Sequence, residues 1–553
     1  METVERARAQ SEVANQAPPL CDYDLYAADA ALHEGFRREA LGWNDAELHE
    51  LGGLAGSPEA IAWGFEANRY PPVLRTHDRF GRRLDEIDFH PSYHSLMAVA
   101  TRRGMHAAPW ADRRPGAHVA RAAKFYLWAQ VEAGHGCPIS MTYAAVAALR
   151  LQPAVAATWE PLLMARAYDP TLRPAAEKGS ALCGMGMTEK QGGSDVRTNE
   201  TTARPAGLGG PGREYEISGH KWFCSAPMSD AFLILAQAPE GLTCFLLPRL
   251  LPDGSKNAFA IVRLKDKLGN RSNASGEVEF DRALGTMVGE PGRGVRTIVE
   301  MVNRTRLDCI IGSAAGMRQA VAQATHHAAY RTAFGKLLID QPLMQNVLAD
   351  LALESEAATA LMLRLARAAD RADDDEREAR LLRIGTAVGK YWVCKRTAVH
   401  AGEAMECMGG NGYVEESIMP RLYREAPVNS MWEGSGNVNA LDLLRVAAKE
   451  PGALDVLFDE ASEARGADAR FDAALASLRA DLEGATDPEV RARSLVERMA
   501  LVLQASLLVR HAPAAVADAF CASRLAGDWG ATFGTLPAGL AFGSIIDRAR
   551  PAC

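Results

Sequence analysis

Glu433, in the string Asn429-Ser430-Met431-Trp432-Glu433-Gly434-Ser435-Gly436-Asn437, offers a carboxylate that could act as a general base if held partly out of water, where lost hydration raises its pKa. Alone, the same residue also reads as a structural carboxylate stabilised by the dipole at a helix N-terminus. Two further strings mix glycine with hydroxyl and aromatic side chains: Gly184-Met185-Gly186-Met187-Thr188-Glu189-Lys190-Gln191-Gly192-Gly193-Ser194-Asp195-Val196, and Gly219-His220-Lys221-Trp222-Phe223-Cys224-Ser225. The first could hold fixed donors against a flat, polar-edged ring, or be a plain turn; the second, alone, is a buried aromatic strand. Arg331, in Tyr330-Arg331-Thr332-Ala333-Phe334-Gly335-Lys336, has the permanent forked charge that suits a pyrophosphate, although a lone arginine in a helix is usually solvated. No Gly-x-Ser-x-Gly elbow or zincin motif appears, so the nucleophile and metalloprotease classes lack support. The ten cysteines, scattered from Cys21 to Cys553, include no CxxC pair and no Cys/His spacing suited to zinc. They are expected to be buried small hydrophobes in a reducing compartment, with neither disulfide nor metal.

The elements that must carry these residues fall into a helix, strand, helix order. At 553 residues the chain exceeds one compact core and suits three or four domains. Helical apolar spacing runs from 20 to about 180, as in Ala117-His118-Val119-Ala120 onward to Val131. Short β-branched and aromatic runs then follow, at Tyr215–Cys224, Ala231–Ala238, Leu242–Leu247, Phe259–Leu264 and Gly276–Phe280. The glycines of 207–212 lie between two such runs and read as a hairpin loop; a phosphate loop would need a strand-then-helix context that is absent. Helical spacing returns in Val295–Tyr330, Pro342–Ala369 and Arg377–Met408, with the acidic run Asp373–Glu376 as a solvated connection. From Ala447 the chain is Ala-rich and helical again. The expected domains are 1–180, a helical domain with an extension; 181–288, a β-barrel; 289–446, a helical bundle; and 447–553, an added helical domain. No repeat at solenoid periods is present.

Composition is that of an ordinary globular protein, 48% hydrophobic and 24% charged, with a mean hydropathy of -0.13. A formal net charge of -8 and a pI near 6.0 would repel a phosphate backbone, so any nucleic-acid role needs a local patch. The first twenty residues lack a signal-peptide core, and no run approaches about 18 uninterrupted apolar residues. A cytoplasmic protein is expected.

Taken together and in order, these strings resemble the acyl-CoA dehydrogenase family from about residue 110 to 446. The resemblance implies a mainly α fold with a central β-barrel: helical N-domain, β middle domain, four-helix C-domain, here with an extra C-terminal helical domain. It implies FAD. Met185, Gly186, Met187, Thr188, Gly193 and Ser194 would lie against the flavin. Trp222, Phe223, Cys224 and Ser225 would supply an aromatic cover and a hydroxyl near the ring. Arg331, Phe334 and Gln341 would bind the FAD of a neighbouring subunit, which makes a homo-oligomer, a dimer of dimers by family precedent. Met431, Trp432, Gly434, Ser435 and Asn437 would complete the site, Ser435 keeping the family's hydroxyl and Asn437 replacing its carboxylate with an amide. Glu406 stands where the family has Gln. Glu433 occupies the position of the base that takes the α-proton of an acyl thioester while the flavin accepts hydride from the β-carbon.

A branch of the family that takes part in the bacterial response to DNA alkylation has both the long N-terminal segment and the roughly hundred-residue tail. It is also matched by Arg263-Leu264-Lys265-Asp266-Lys267-Leu268-Gly269-Asn270-Arg271-Ser272-Asn273-Ala274-Ser275 and by Trp432–Asn437. That resemblance implies weak dehydrogenase activity on an acyl-CoA such as isovaleryl-CoA, or action on a small alkylating agent. It also implies double-stranded DNA as a partner, with Arg445 at a DNA-contacting position. The tail from Ala447 carries 11 Lys and Arg against 15 Asp and Glu, a net of -4. A DNA patch would have to gather Arg491, Arg493, Arg498 and Arg510 on one surface. The alternative is a metabolic acyl-CoA dehydrogenase whose tail serves assembly; a third is a scaffold that keeps FAD as a structural element.

Overall fold

A computed structural model describes residues 14–551 except 41, 44, 451, 485 and 486; the opening thirteen residues and Cys553 lie outside the described residues. Helices α1 (Ala30–Glu39), α2 (Ala46–Ala55) and α3 (Pro58–Arg69) lead into a hairpin, β1 (Val73–His77) and β2 (Arg83–Asp88), and then α4 (Pro91–Arg102), α5 (Ala117–Ala129), α6 (Gly136–Leu149) and α7 (Pro153–Leu163). The hairpin departs from the all-helical expectation for this region. Its alternating exposed and half-buried residues fit a strand period, and it is pinned to the later sheet, Asp85 accepting from Ile261 N at 2.8 Å and Arg83 donating to Ile261 O at 3.0 Å.

Seven strands form one sheet: β3 (Cys183–Gly186), β4 (Thr202–Pro205), β5 (Glu214–Ser225), β6 (Ala231–Ala238), β7 (Gly241–Pro248), β8 (Phe259–Leu264) and β9 (Ser275–Val288). The pairings run β5–β4–β6–β7–β9 and return from β9 to β5, while β3 joins both β5 and β6 and β8 lines the outside of β9. The 207–212 glycines connect β4 to β5, with Gly210 N donating to Tyr215 Oη at 2.9 Å.

Three long helices follow, α8 (Gly294–Tyr330), α9 (Pro342–Arg371) and α10 (Glu376–Cys407), then α11 (Met419–Glu425) and α12 (Gly436–Lys449). Proline at the first position starts α9, where its missing N–H costs nothing. Asp375 is more than a solvated connection: its carboxylate caps α10 by accepting from Arg377 N and Glu378 N. The tail folds as α13 (Ala453–Ser462), α14 (Ala469–Glu483), α15 (Pro488–His511), α16 (Ala514–Phe520) and α17 (Phe542–Ala549), sharing one apolar core with the N-terminal and long helices. A second core joins α6 and the start of α8 to β3 and β6, through residues such as Leu149, Ile298, Met301 and Leu233. That seam sets sheet against helices and frames the site. No helix among the described residues is long and apolar enough to cross a membrane.

Candidate active site

A chamber of about 650 Å³ opens between β3, β5, α5, α6, α8 and the segment that leads into α12. Its sheet side comes from the two glycine-bearing strings. Met185 pairs with Ser225 across β3 and β5, and both line the chamber with Met187, Thr188, Gly193, Ser194 and Phe223. At Gly193 a Cβ would stand 2.9 Å from Thr188 Oγ1, so any larger residue there would displace the Thr188 side chain. A buried ion pair stitches the strings together: Lys221 Nζ meets Glu189 Oε1 at 2.5 Å and donates to Leu235 O at 2.7 Å, while Trp222 N donates to Thr188 O at 2.8 Å. Burial raises the Glu189 carboxyl, but the Lys221 ammonium overrides it and brings the group down to about 2; burial lowers Lys221 to about 8 against the pull of Glu189.

The helical side carries Met431, Trp432, Glu433, Gly434 and Ser435. Glu433 sits at φ 56° with Gly434 at φ 97°, a turn that swings the carboxylate off the start of α12 and towards α8. Its Oε2 accepts from Thr305 Oγ1 at 2.7 Å, and its carbonyl accepts from Arg306 Nε at 2.8 Å. Lys390, from α10, donates to the carbonyls of Trp432 at 2.8 Å and Gly434 at 2.6 Å. Loss of hydration pushes the Glu433 carboxyl above its ordinary range; the Thr305 hydroxyl and the Arg306 and Lys390 charges oppose that. The carboxylate is therefore held by a hydroxyl on another helix, which distinguishes it from a helix-terminal cap.

Other expected site residues lie elsewhere. Gly186, Trp222, Cys224 and Asn437 do not line the chamber. Trp222 instead stacks under Lys265, whose Nζ is 3.4 Å from the ring centroid, and Cys224 is buried in the sheet's own core. Arg331, Phe334 and Gln341 sit around a small hairpin after α8, away from the chamber: Arg331 donates to Asn15 O at 2.5 Å, Gln341 to Ala333 O at 3.0 Å, and Phe334 is 99% exposed. Arg445 is exposed on α12 and paired with Asp442 at 3.2 Å.

Residues 15–170 match the adaptive response protein AidB N-terminal domain, 184–283 the acyl-CoA dehydrogenase middle domain, and 292–448 the acyl-CoA dehydrogenase C-terminal domain. The chain is 47% identical over 511 residues, 92% of its length and 93% of the relative's, to a protein of Escherichia coli (strain K12) named putative acyl-CoA dehydrogenase AidB. This chain belongs to the acyl-CoA dehydrogenase family. Among acyl-CoA dehydrogenase-type structures, Caenorhabditis elegans ACDH-11, solved in complex with C11-CoA, superposes with a TM-score of 0.85 at 26% identity, covering 93% of each chain. An acyl-CoA dehydrogenase from Bacillus anthracis, complexed with FAD, shares the fold at a TM-score of 0.61 and 19% identity over 79% of this chain and 81% of that one.

The chamber is also bordered by residues that the sequence did not single out. Besides Thr305, Arg306 and Lys390, the end of the chamber holds Glu132, Lys267, Arg421 and Glu425. Burial raises Glu132, but the adjacent His135 and the backbone N–H groups of 134 and 135 hold it well below the usual carboxylate range. Burial and the neighbouring Glu132 charge push Glu425 up to about 7 against the Asn270 hydrogen bonds. Burial brings Lys267 down to about 8; its ammonium donates to Asn273 O and Ser275 Oγ. Lys267 stands inside the Arg263–Ser275 string and Arg421 and Glu425 lie within the helical bundle, yet a charged residue in a helix or loop carries no sequence mark of burial.

Proposed function

We propose that this chain is an FAD-containing flavoprotein that takes the α-proton of an acyl-CoA thioester on Glu433. The carrying observation is the Thr305–Glu433 hydrogen bond: it engages Oε2 and leaves Oε1 without one, on a residue that lines the chamber. FAD fits the donor set, because the hydroxyls of Thr188, Ser194 and Ser435 face the same chamber without a hydrogen bond among the described residues, as a polar-edged ring requires. Bound there, FAD supplies the hydride acceptor. Glu433 N–H makes no backbone hydrogen bond, so it is available to polarise the thioester carbonyl. Lys390 and Arg306 fix the backbone on both sides of the base. The experiment is loading the purified chain with FAD and mixing it anaerobically with isovaleryl-CoA. Bleaching of the visible flavin band, lost in Glu433→Gln with FAD still bound, is the expected result; a chain that takes up no FAD, or a variant that bleaches as fast as the parent, overturns it.

The hairpin bearing Arg331 and Phe334 supports assembly as a homo-oligomer, a dimer of dimers, in which this segment reaches the FAD of a second copy. Phe334 is fully exposed and stands where the resemblance puts a phenylalanine against a second copy, so covering its ring there would bury apolar surface. Phe334→Glu should lower both the mass in light scattering and the flavin content.

The kinship with AidB supports a finer reading, a role in the response to DNA alkylation with duplex DNA bound near Arg445. One observation favours the alternative of a metabolic dehydrogenase without DNA binding. Arg491 and Arg498 share the single carboxylate of Asp481, and Arg510 meets Glu460 and Glu463, so the charge these arginines offer a phosphate backbone is reduced by the carboxylates beside them. Duplex binding across a salt series separates the two: affinity that falls with salt and with Arg445→Ala supports the DNA role, and no affinity at low salt leaves the dehydrogenase alone.

A further inference from the structure

Remote from the chamber, α1 and α2 bring together two histidines and an aspartate. His33 stands in the first turns of α1, Asp45 immediately precedes α2, and His49 lies one turn into α2. One ligand atom from each lies within 4.8 Å of the others, and His33 Nε2 is 3.7 Å from Asp45 Oδ2. Tetrahedral coordination at Zn–N and Zn–O distances of about 2.0–2.2 Å places ligand atoms roughly 3.3 Å apart, a contraction that these partly exposed side chains can make by rotation.

Three features beyond proximity point to a metal. First, His49 Nδ1 meets Asp24 Oδ2 at 2.6 Å, while Asp24 Oδ1 accepts from Tyr26 N at 2.8 Å and Ala27 N at 3.2 Å. A backbone-anchored carboxylate thus holds one ring nitrogen and presents Nε2 as the free donor, the outer-layer arrangement that orients metal-binding imidazoles. A Cβ at Gly52 would stand 2.1 Å from that Asp24 oxygen, so the close approach of α2 depends on glycine there. Second, the Asp45 carboxylate sits at the helix N-cap but makes no capping bond. Its Oδ2 instead holds Arg37 at 3.2 Å, an arginine whose side chain is 64% exposed and free to swing out. Third, Tyr26 is fully buried, edge-on to both imidazoles with ring centroids 5.2 and 4.8 Å away, and its hydroxyl lies beside the Asp45 carboxylate without a well-formed hydrogen bond.

We propose that His33, Asp45 and His49 bind a divalent transition-metal ion of the zinc class, with Asp24 orienting His49, a solvent molecule in the fourth position, and the Tyr26 hydroxyl as that solvent's acceptor. Two imidazoles and a carboxylate are the donor set zinc prefers over calcium or magnesium. The ion crosslinks α1 to α2, and Arg37 takes the vacated carboxylate when the ion leaves.

The test strips the full-length protein with EDTA, dialyses it to about pH 7.5 and titrates it with ZnCl2, reading heat and zinc content by elemental analysis. One zinc taken up per chain is expected, lost in His33→Gln/His49→Gln and weakened about 10- to 100-fold in Asp24→Asn, where the first shell is intact. Without metal the double variant should still unfold cooperatively, so that loss of uptake reports the site and not loss of the fold. No stoichiometric uptake by the parent, or unchanged uptake by the double variant through cysteines elsewhere, overturns the site.

Discussion

Thr305 Oγ1 donates to Glu433 Oε2 at 2.7 Å, and the next residue of the same helix, Arg306, donates to the carbonyl of Glu433 at 2.8 Å. One turn of α8 therefore controls both the charge and the position of the proposed base. Arg306 is itself braced by Asp442 of α12 at 2.8 Å, which closes a loop from α8 through the Glu433 turn into α12 and back.

Removing the Thr305 hydroxyl should move a pH profile. Thr305 stabilises the ionised form of Glu433 against burial, and a hydrogen bond to a charged group contributes about 1.5–3 kcal/mol. The base works only when deprotonated, so kcat/KM rises with pH through its pKa. Thr305→Val should shift that rising limb upward by about one to two pH units with the plateau kept. A profile that loses its plateau without moving would assign Thr305 to packing alone.

The Glu189–Lys221 pair should govern stability and flavin retention together. Both side chains are fully buried, and breaking such a pair by removing one partner costs about 3–5 kcal/mol because a charge is left alone in the interior. Glu189→Gln should lower the urea midpoint markedly, and the Glu189→Gln/Lys221→Met double variant should recover much of it. Its folded pKa of about 2 lies below the ordinary 4.5. The stabilisation is thus complete above pH 4.5 and drains as pH falls towards 2.

The strands and long helices were legible because their periods are strong. β5 was expected over Tyr215–Cys224 and spans Glu214–Ser225; α8 was expected over Val295–Tyr330 and spans Gly294–Tyr330. The β1–β2 hairpin was missed because its two short strands lie inside a stretch dominated by helical spacing. Thr305, Arg306 and Lys390 were missed for a different reason. They are polar residues within long helices, where one turn of sequence looks the same facing solvent or facing a buried turn, and only the packing of α8 and α10 around Glu433 shows which. The His33–Asp45–His49 cluster escaped because its histidines are joined by a helix–turn–helix and not by a short zinc-type spacing.

Glu425 should make the protein less stable as pH rises. Its folded pKa of about 7 stands above the ordinary 4.5, so the folded state holds a proton that the unfolded chain has released. Stability from this group is intact below pH 4.5 and is lost as pH climbs through 7, by up to about 3 kcal/mol at 1.36 kcal/mol per unit. Glu425→Gln should therefore match the parent in chemical unfolding near pH 4.5 and exceed it near pH 8. Equal differences at both pH values would show that the side chain acts through shape and not through its proton.

Phe223 and Trp222 are neighbours in β5, yet they should answer differently to alanine. The pairing of β5 with β9 slips between Lys221 and Cys224, a bulge that breaks simple alternation and re-aims side chains. Phe223 consequently lines the chamber, whereas Trp222 is covered by Lys265 and reached by Arg263 and Lys190. A ring stacked on the flavin contributes about 0.5–1.5 kcal/mol beyond its buried area, so Phe223→Ala should weaken FAD binding about tenfold, read by titrating the deflavinated protein and following quenching of flavin fluorescence. Lys265 Nζ also lies 4.6 Å from the Phe223 centroid, but Trp222 does not line the chamber, so Trp222→Ala should leave FAD affinity unchanged. The reverse order of effects would place the aromatic cover on Trp222 and require β5 to twist by one residue when the cofactor binds.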